Sequence, residues 1–213
     1  MRLFIVRHGE TAWNRESRFQ GQRDIELNET GLAQAGQAAE RFRGYPFDAV
    51  VVSPLARAAV TGRKIYEASK CGSFIVDEGF SEINHGDWEG RLAADVERDY
   101  SSLLGQWRSA PHLVKMPGPG GETIADVQAR ALAALERTAF KFDGDVMLAT
   151  HDAVIRVLLC SFVGAPLSSF WRFQIPNCSV SFVEFKDGFP KLGLLGDTNH
   201  LQKSFDRFEQ KSL

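Results

Sequence analysis

The sequence predicts an α/β fold built on a mostly parallel central sheet. Short apolar runs rich in β-branched residues, RLFIV (2–6), DAVVV (48–52) and DVMLAT (145–150), each lead into a turn and then a helical period. Runs this apolar are strands covered on both faces. Strands alternating with helices in this way pair in parallel.

The elements follow in order. After the first strand, NETGLAQAGQAAERF (28–42) opens with a capping Asn28 and places Leu32, Ala35, Ala39 and Phe42 on one helix face. After the second strand, SPLARAAVTGRKIYEA (53–68) puts Ser53 at the N-cap and Pro54 at the first helical position. TIADVQARALAALERTAF (123–140) is a long amphipathic helix with Ile124, Val127, Ala131 and Leu135 on its apolar side. AVIRVLLCSFV (153–163) follows the third strand, and CSVSFVEF with PKLGLL forms a β-hairpin at a sheet edge, turning at Lys186, Asp187 and Gly188. Residues 88–122 break the rhythm with Trp88, Trp107, Pro111, Pro117, Pro119 and the glycines 118, 120 and 121. They read as a partly helical, lid-like insertion over one end of the sheet, and the charged tail from 202 reads as loosely attached.

The chain of 213 residues, 44% hydrophobic and 24% charged with a net charge of −2, is expected to form a single domain over 1–213. Near-neutral charge and the lack of a long basic run argue against nucleic acid as a partner. Cys71, Cys160 and Cys178 are widely spaced and make no CxxC pair, which argues against a disulfide framework and a structural zinc. The run Leu3 to Val6 is too short for a signal peptide, and the apolar window 146–163 is broken by His151, Asp152 and Arg156, so no membrane span is expected. A cytoplasmic setting follows as the expectation.

Sites in parallel α/β sheets form beyond the carboxyl ends of strands. There the sequence places Arg7 and His8 after the first strand, Ser53, Pro54 and Arg57 after the second, and His151 after the third. Neighbouring strands lie about 4.8 Å apart, so these side chains fit around a group the size of a phosphate. Helix N-termini near Pro54 and Asp152 add backbone donors. Cations gathered this closely repel unless an anion joins them, and arginine forks suit phosphoryl oxygens. A deprotonated imidazole is also a competent nucleophile.

The motifs RHGET (7–11), SPLARAAVT (53–61), EINHGDWEG (82–90) and ATHDAVIR (149–156) resemble, in this order, those of the histidine phosphatase superfamily. The R-H-G-x-T pattern alone would occur by chance in about one in a thousand chains this long. The resemblance implies the three-layer, phosphoglycerate-mutase-like sandwich. It implies His8 as a nucleophile forming a phosphohistidine, with Arg7, Arg57 and His151 clamping the phosphoryl oxygens. Glu82 would protonate the leaving oxygen and then activate water, for which its pKa must be raised. Asn14, Gln20 and Gly21 match further phosphate contacts, and His85 matches a position facing the substrate. Asp152 stands where many members have glycine; its carboxylate should raise the pKa of neighbouring His151, or else cap the helix. Glu122 and Thr123 match a helix start beside the site. His112 and His200 read as surface or lid residues, and Glu10 has no assigned role. No metal or cofactor is implied.

GDWEG and SAPHL resemble the bacterial small-molecule phosphatase branch, and Gln20–Gly21 stands where the family's mutases usually show Thr-Gly; a small phosphorylated metabolite is the expected partner, with the chain a monomer or homodimer. Three alternatives stand beside metal-independent hydrolysis: a cofactor-dependent phosphoglycerate mutase, a non-catalytic phosphate-ligand binding module, and a metal-dependent hydrolase. The aromatic and apolar residues Trp88, Leu104, Trp107 and Leu113 either receive the alcohol part of the substrate or form the insertion's own core.

Overall fold

The computed structural model describes residues 1–186 and 189–201. In chain order the elements are β1 (Arg2–Arg7), α1 (Ala12–Arg15), α2 (Glu29–Arg41), β2 (Ala49–Val52), α3 (Ala56–Ala68), β3 (Phe74–Val76), α4 (Ala93–Asp99), α5 (Ser101–Ser109), α6 (Ile124–Lys141), β4 (Asp145–Thr150), α7 (Asp152–Phe162), β5 (Val180–Lys186) and β6 (Phe189–Asp197). They build one six-stranded sheet in the order β3-β2-β4-β1-β5-β6. The first four strands in that order are parallel, while β5 and β6 run antiparallel as an edge hairpin. This is the expected α/β class.

The strands that read as continuous apolar runs are buried on both faces, as the pattern requires. On one face Val6, Val50, Val52 and Met147 pack with Ala38, Phe42 and Ile65 from the α2–α3 side. On the other, Leu3, Ile5, Val51 and Leu148 pack against Val127, Ala131 and Leu135 of α6 and Val154, Leu158 and Leu159 of α7. The result is three layers. Each large aliphatic side chain so buried stabilises the fold by about 1.5–3 kcal/mol before entropy is counted.

Several local expectations shift. Helix α3 starts at Ala56 behind an uncapped Leu55, later than Ser53 and Pro54 predict. The Ser53 hydroxyl is taken by His151, 2.7 Å away, and the Ala56 N–H finds the Asp24 carboxylate at 2.7 Å instead. In α2 the Asn28 side chain does cap Gly31 N–H, but Leu32 is 43% exposed and the buried stripe is Gly31, Ala35, Ala38 and Ala39. Gly31 draws that face inward, because its Cα packs directly on the backbone of Glu10. Strand β3 is an addition the sequence reading missed.

Within residues 88–122 lie α4, α5 and short 3₁₀ turns. Trp88, Val96, Leu104 and Trp107 are wholly buried in the same apolar cluster as the sheet, whereas Leu113 is 65% exposed. The β5–β6 hairpin is present, with its turn residues Asp187 and Gly188 outside the described residues, as is the tail from 202. Among the described residues no helix is long and apolar enough to cross a membrane.

Candidate active site

Three adjacent strands set the site. Arg7, the last residue of β1, is in register with Thr150, the last of β4. The next residue on each strand is a histidine, and the rings of His8 and His151 lie 5.2 Å apart, centroid to centroid. β2 flanks β4 on its other side, so Ser53 and the first turn of α3 deliver Arg57 to the same edge. Glu82 arrives on the segment after β3, which is tied to β4 where Thr150 Oγ1 donates to Phe80 O at 2.7 Å. Its Oε1 accepts from Ile83 N at 2.9 Å and from Ala153 N, in the first turn of α7, at 3.3 Å.

The nucleophile candidate is held by backbone and by residues that sequence reading missed. His8 Nδ1 lies 2.7 Å from Gly9 O, and Gly9 N donates to Thr61 Oγ1 at 3.2 Å. Thr61 in turn donates to Arg57 O at 2.7 Å. Asn177 Nδ2 donates to His8 O at 3.1 Å. Cys178, at φ +58, gives its N–H to the carbonyls of both Arg7 and His8 at 3.1 Å. A non-glycine residue in the left-handed region stores backbone strain, and here it serves to fasten the strand end that carries His8. Thr61 closes the motif SPLARAAVT without a role of its own assigned there, and Asn177 lies outside the quoted motifs; each acts across the fold on a backbone atom.

Burial and crowding of charge set the protonation states. Burial, then Arg57 and Arg7, hold the His8 imidazolium pKa well below the ordinary value. His151 is driven well down in the same way, by burial, Arg57 and His8. Both imidazoles are therefore neutral at physiological pH. Burial lowers Arg57 to about 10, which leaves it cationic. Glu82 moves the other way: burial, then Asp152, raise its carboxyl pKa. Among the buried nitrogens, Arg7 Nε, Arg57 Nε and His151 Nδ1 have no hydrogen-bond partner among the described residues. Buried donors this rarely go unmatched.

An open pocket faces this edge, lined by Arg7, His8 and Glu82 together with Asn14, Gln20, His85 and Asp152. Arg57 and His151 are fully buried beside His8 and do not line it. Asn14 Oδ1 accepts from Thr11 N at 3.0 Å, closing a capping box on α1, and Gln20 Oε1 lies 3.0 Å from Thr11 Oγ1. Gly21 is not at the pocket surface; its carbonyl accepts from Arg57 Nη2 at 2.7 Å. His85 is buried, with Nδ1 3.4 Å from Met116 Sδ, and burial pushes its pKa down to about 3. Glu10 turns away from the pocket, accepting from Asn28 Nδ2 at 2.8 Å. Glu122 is paired with Arg130 at 2.7 Å, and Thr123 caps α6.

Asp152 behaves differently from expectation. The His151 pKa is lowered rather than raised, and Asp152 does not cap α7, whose N-cap is His151. Its carboxylate turns to Arg156 Nε at 2.7 Å and Arg7 Nη1 at 3.6 Å. The pocket also has an aromatic wall that includes Trp13, Phe19, Trp107, Phe170 and Trp171. Trp107 thus serves both core and pocket, and Phe170 and Trp171, on the 3₁₀ segment Leu167–Arg172, went unread in the sequence. Among the described residues no group of three or more His, Cys, Asp or Glu is placed to hold a metal ion.

The sequence profile of the histidine phosphatase superfamily (branch 1) matches residues 3–198. The chain belongs to the histidine phosphatase superfamily. Within this superfamily it is 32% identical over 202 residues to phosphoserine phosphatase 1 of Hydrogenobacter thermophilus, covering 94% of each chain. It is 30% identical to the adenosylcobalamin/α-ribazole phosphatase of Salmonella typhimurium, over 92% of this chain and 96% of that one. Among solved structures it resembles Bacillus stearothermophilus YhfR, with a TM-score of 0.87 and 30% identity over 93% of this chain and 98% of the other. A histidine phosphatase of this kind shares the phosphoglycerate-mutase-like architecture.

Proposed function

We propose that this histidine phosphatase hydrolyses a small phosphomonoester through a phosphohistidine on His8, without a metal. The single observation that carries this reading is the meeting of His8 with Arg7, Arg57 and His151 at one sheet edge, where Arg7 and His8 face a pocket that also presents Glu82. Phosphatases acting on phosphoserine and on α-ribazole phosphate among the relatives support the hydrolytic branch.

In the first step His8 Nε2 attacks phosphorus. The N–P bond forms as the P–O bond to the alcohol breaks, and protonated Glu82 gives its proton to the departing oxygen. In the second step Glu82, now ionised, takes a proton from water. The oxygen attacks phosphorus, the N–P bond breaks, and phosphate leaves with His8 neutral again. Arg7, Arg57 and His151 hold the equatorial oxygens, whose charge answers the unmatched donors on these residues. The insertion at 88–122 covers the pocket as part of one domain, with its aromatic wall beside the alcohol part of the substrate. Because the arginines neutralise the phosphoryl charge, no step calls on a metal.

The test is turnover of p-nitrophenyl phosphate and a panel of natural esters that includes phosphoserine, α-ribazole phosphate and 3-phosphoglycerate, in the presence of EDTA. Radiolabelled phosphate should be trapped on the protein, and His8→Ala should lose both turnover and label. Near-normal turnover by His8→Ala, or loss of activity with EDTA, would overturn the reading. Efficient 3- to 2-phosphoglycerate conversion primed by a bisphosphoglycerate would replace it with a mutase.

A further inference from the structure

The turn at 20–23 is held between a cation and an anion. One peptide unit, linking Gly21 to Gln22, gives its carbonyl to Arg57 Nη2 at 2.7 Å and its N–H to Glu89 Oε1 at 2.7 Å. The next turn residue repeats the pattern: Arg23 O accepts from Arg57 Nη1 at 2.8 Å, while Arg23 Nε lies 3.5 Å from Glu89 Oε2. Gln22 also reaches the opposite side of the pocket, where its Nε2 donates to Glu82 O at 3.0 Å. Glu89 Oε1 accepts a second bond from His85 N at 3.3 Å.

The Glu89 side chain is only 10% exposed, so its charge is weakly screened by solvent. Its field is among those that raise the Arg57 pKa against the larger effect of burial. Glu89 does not line the pocket. Gly21 sits at φ +54, and a Cβ there would fall on the Glu89 carboxylate. Glycine leaves this peptide free to rotate, so something must hold its plane. A planar guanidinium, for its part, is oriented only when the acceptors on its fork are fixed.

We propose that Glu89 is a positioning residue for Arg57. By anchoring the N–H end of the Gly21–Gln22 peptide, it fixes the carbonyl end that orients the guanidinium, and so sets the affinity of the site for a phosphoryl group. The proposal rests on reading Arg57 as a phosphoryl clamp. Peptide and carboxylate form a relay: an anion on one end of a peptide dipole strengthens the bond its other end accepts.

The test compares the inhibition constant of orthovanadate, with p-nitrophenyl phosphate as substrate, in the wild type, Glu89→Ala, Glu89→Gln, Arg57→Ala and the double variant Arg57→Ala/Glu89→Ala. Glu89→Ala should weaken vanadate by roughly tenfold to a hundredfold, the scale of one charge-assisted hydrogen bond. Glu89→Gln, which keeps an acceptor for the Gln22 N–H, should recover most of the loss. With Arg57 already removed, loss of Glu89 should have no further effect. Unchanged affinity in Glu89→Ala, or the same loss with and without Arg57, overturns the proposal. Should Glu89→Ala fail to fold, Gly21→Ala carries the same comparison: non-additivity with Arg57→Ala supports the relay and additivity overturns it. A wild type that neither binds vanadate nor turns over would remove the phosphatase reading, and this proposal with it.

Discussion

His8 Nδ1 lies 2.7 Å from the carbonyl oxygen of Gly9, the residue that follows it. A carbonyl only accepts, so Nδ1 carries the ring proton and the lone pair is left on Nε2. The tautomer that can attack phosphorus is therefore built into the turn after β1, before any substrate arrives.

The pH profile follows from that geometry and from the surrounding charge. Attack needs His8 unprotonated, and its pKa is depressed by burial and by Arg57 and Arg7. As pH falls, His8 stays competent below the ordinary histidine value of about 6.5. Departure of the alcohol needs Glu82 protonated, and its pKa is raised by burial and Asp152. As pH rises through that value, the acid is lost. The kcat/KM profile should therefore keep its acid limb below pH 6.5 and fall as pH rises through a Glu82 pKa that lies above the ordinary carboxyl value. An acid limb centred at 6.5 or above, in an enzyme whose phosphohistidine is on His8, would contradict the depressed nucleophile.

Glu82→Gln separates proton donation from clamping. An aryl phosphate expels a stable phenolate and needs little help, whereas an alkyl phosphate needs the proton. The substitution should lower kcat/KM, which reports the phosphorylation half alone, by about 10²- to 10⁴-fold for alkyl esters, the usual worth of general acid catalysis, and much less for nitrophenyl esters, while loss of the base for water slows the second half equally for both. Equal loss of kcat/KM for both ester types would count against the acid role.

Gly31→Ala tests the docking of α2 beneath the nucleophile turn. A Cβ at 31 would run into the Glu10 backbone, and one at Gly9 would meet Gly31 O at 2.5 Å. Forcing these backbones apart should cost about 1–3 kcal/mol, a fall of several degrees in thermal midpoint, with a loss of activity because Glu10 and His8 move together. An unchanged midpoint would show that the contact relaxes freely.

Arg156→Met tests the buried pair behind the pocket. Arg156 is 2% exposed, meets Asp152 at 2.7 Å and Phe170 O at 3.2 Å, and stacks 4.9 Å from the Trp171 ring centre. Breaking a buried pair from one side costs up to about 3–5 kcal/mol, here moderated because Asp152 keeps Arg7 at 3.6 Å. Urea denaturation should show Arg156→Met strongly destabilised, and Asp152→Asn/Arg156→Met closer to wild type than the single variant. A double variant as unstable as the sum of its singles would deny the pairing.

The candidate clamp residues were legible because their placement is local: Arg7 ends β1, His151 follows β4, Arg57 sits on the first turn of the helix after β2, and parallel order brings those ends together. Glu82 was legible only through its motif, since β3, which delivers it, is three residues long with a half-exposed edge. The start of α3 was misjudged because the helix signals at Ser53 and Pro54 compete with a tertiary bond to His151. Asp152 was misjudged because sequence adjacency to His151 drew attention from Arg156, its i+4 partner on the same helix face. Thr61 and Glu89 stand in motifs that resemble the family's, but the backbone atoms they hold, Gly9 N and Gln22 N, lie far along the chain, as does the His8 carbonyl that Asn177 holds, and residue type alone does not reveal such partners.

The order of strands also dictates when the centre can exist during synthesis. β1 is complete by residue 7, yet its two partners in the sheet are β4 at 145–150 and β5 at 180–186. A nascent chain therefore carries His8 on an unpaired apolar strand until β4 has left the ribosome. Pairing across such separations is slow and exposes that strand meanwhile. The stretch around β1 is accordingly where a chaperone has the most to shield, and a chain halted before β4 would hold the proposed nucleophile with nothing to aim it.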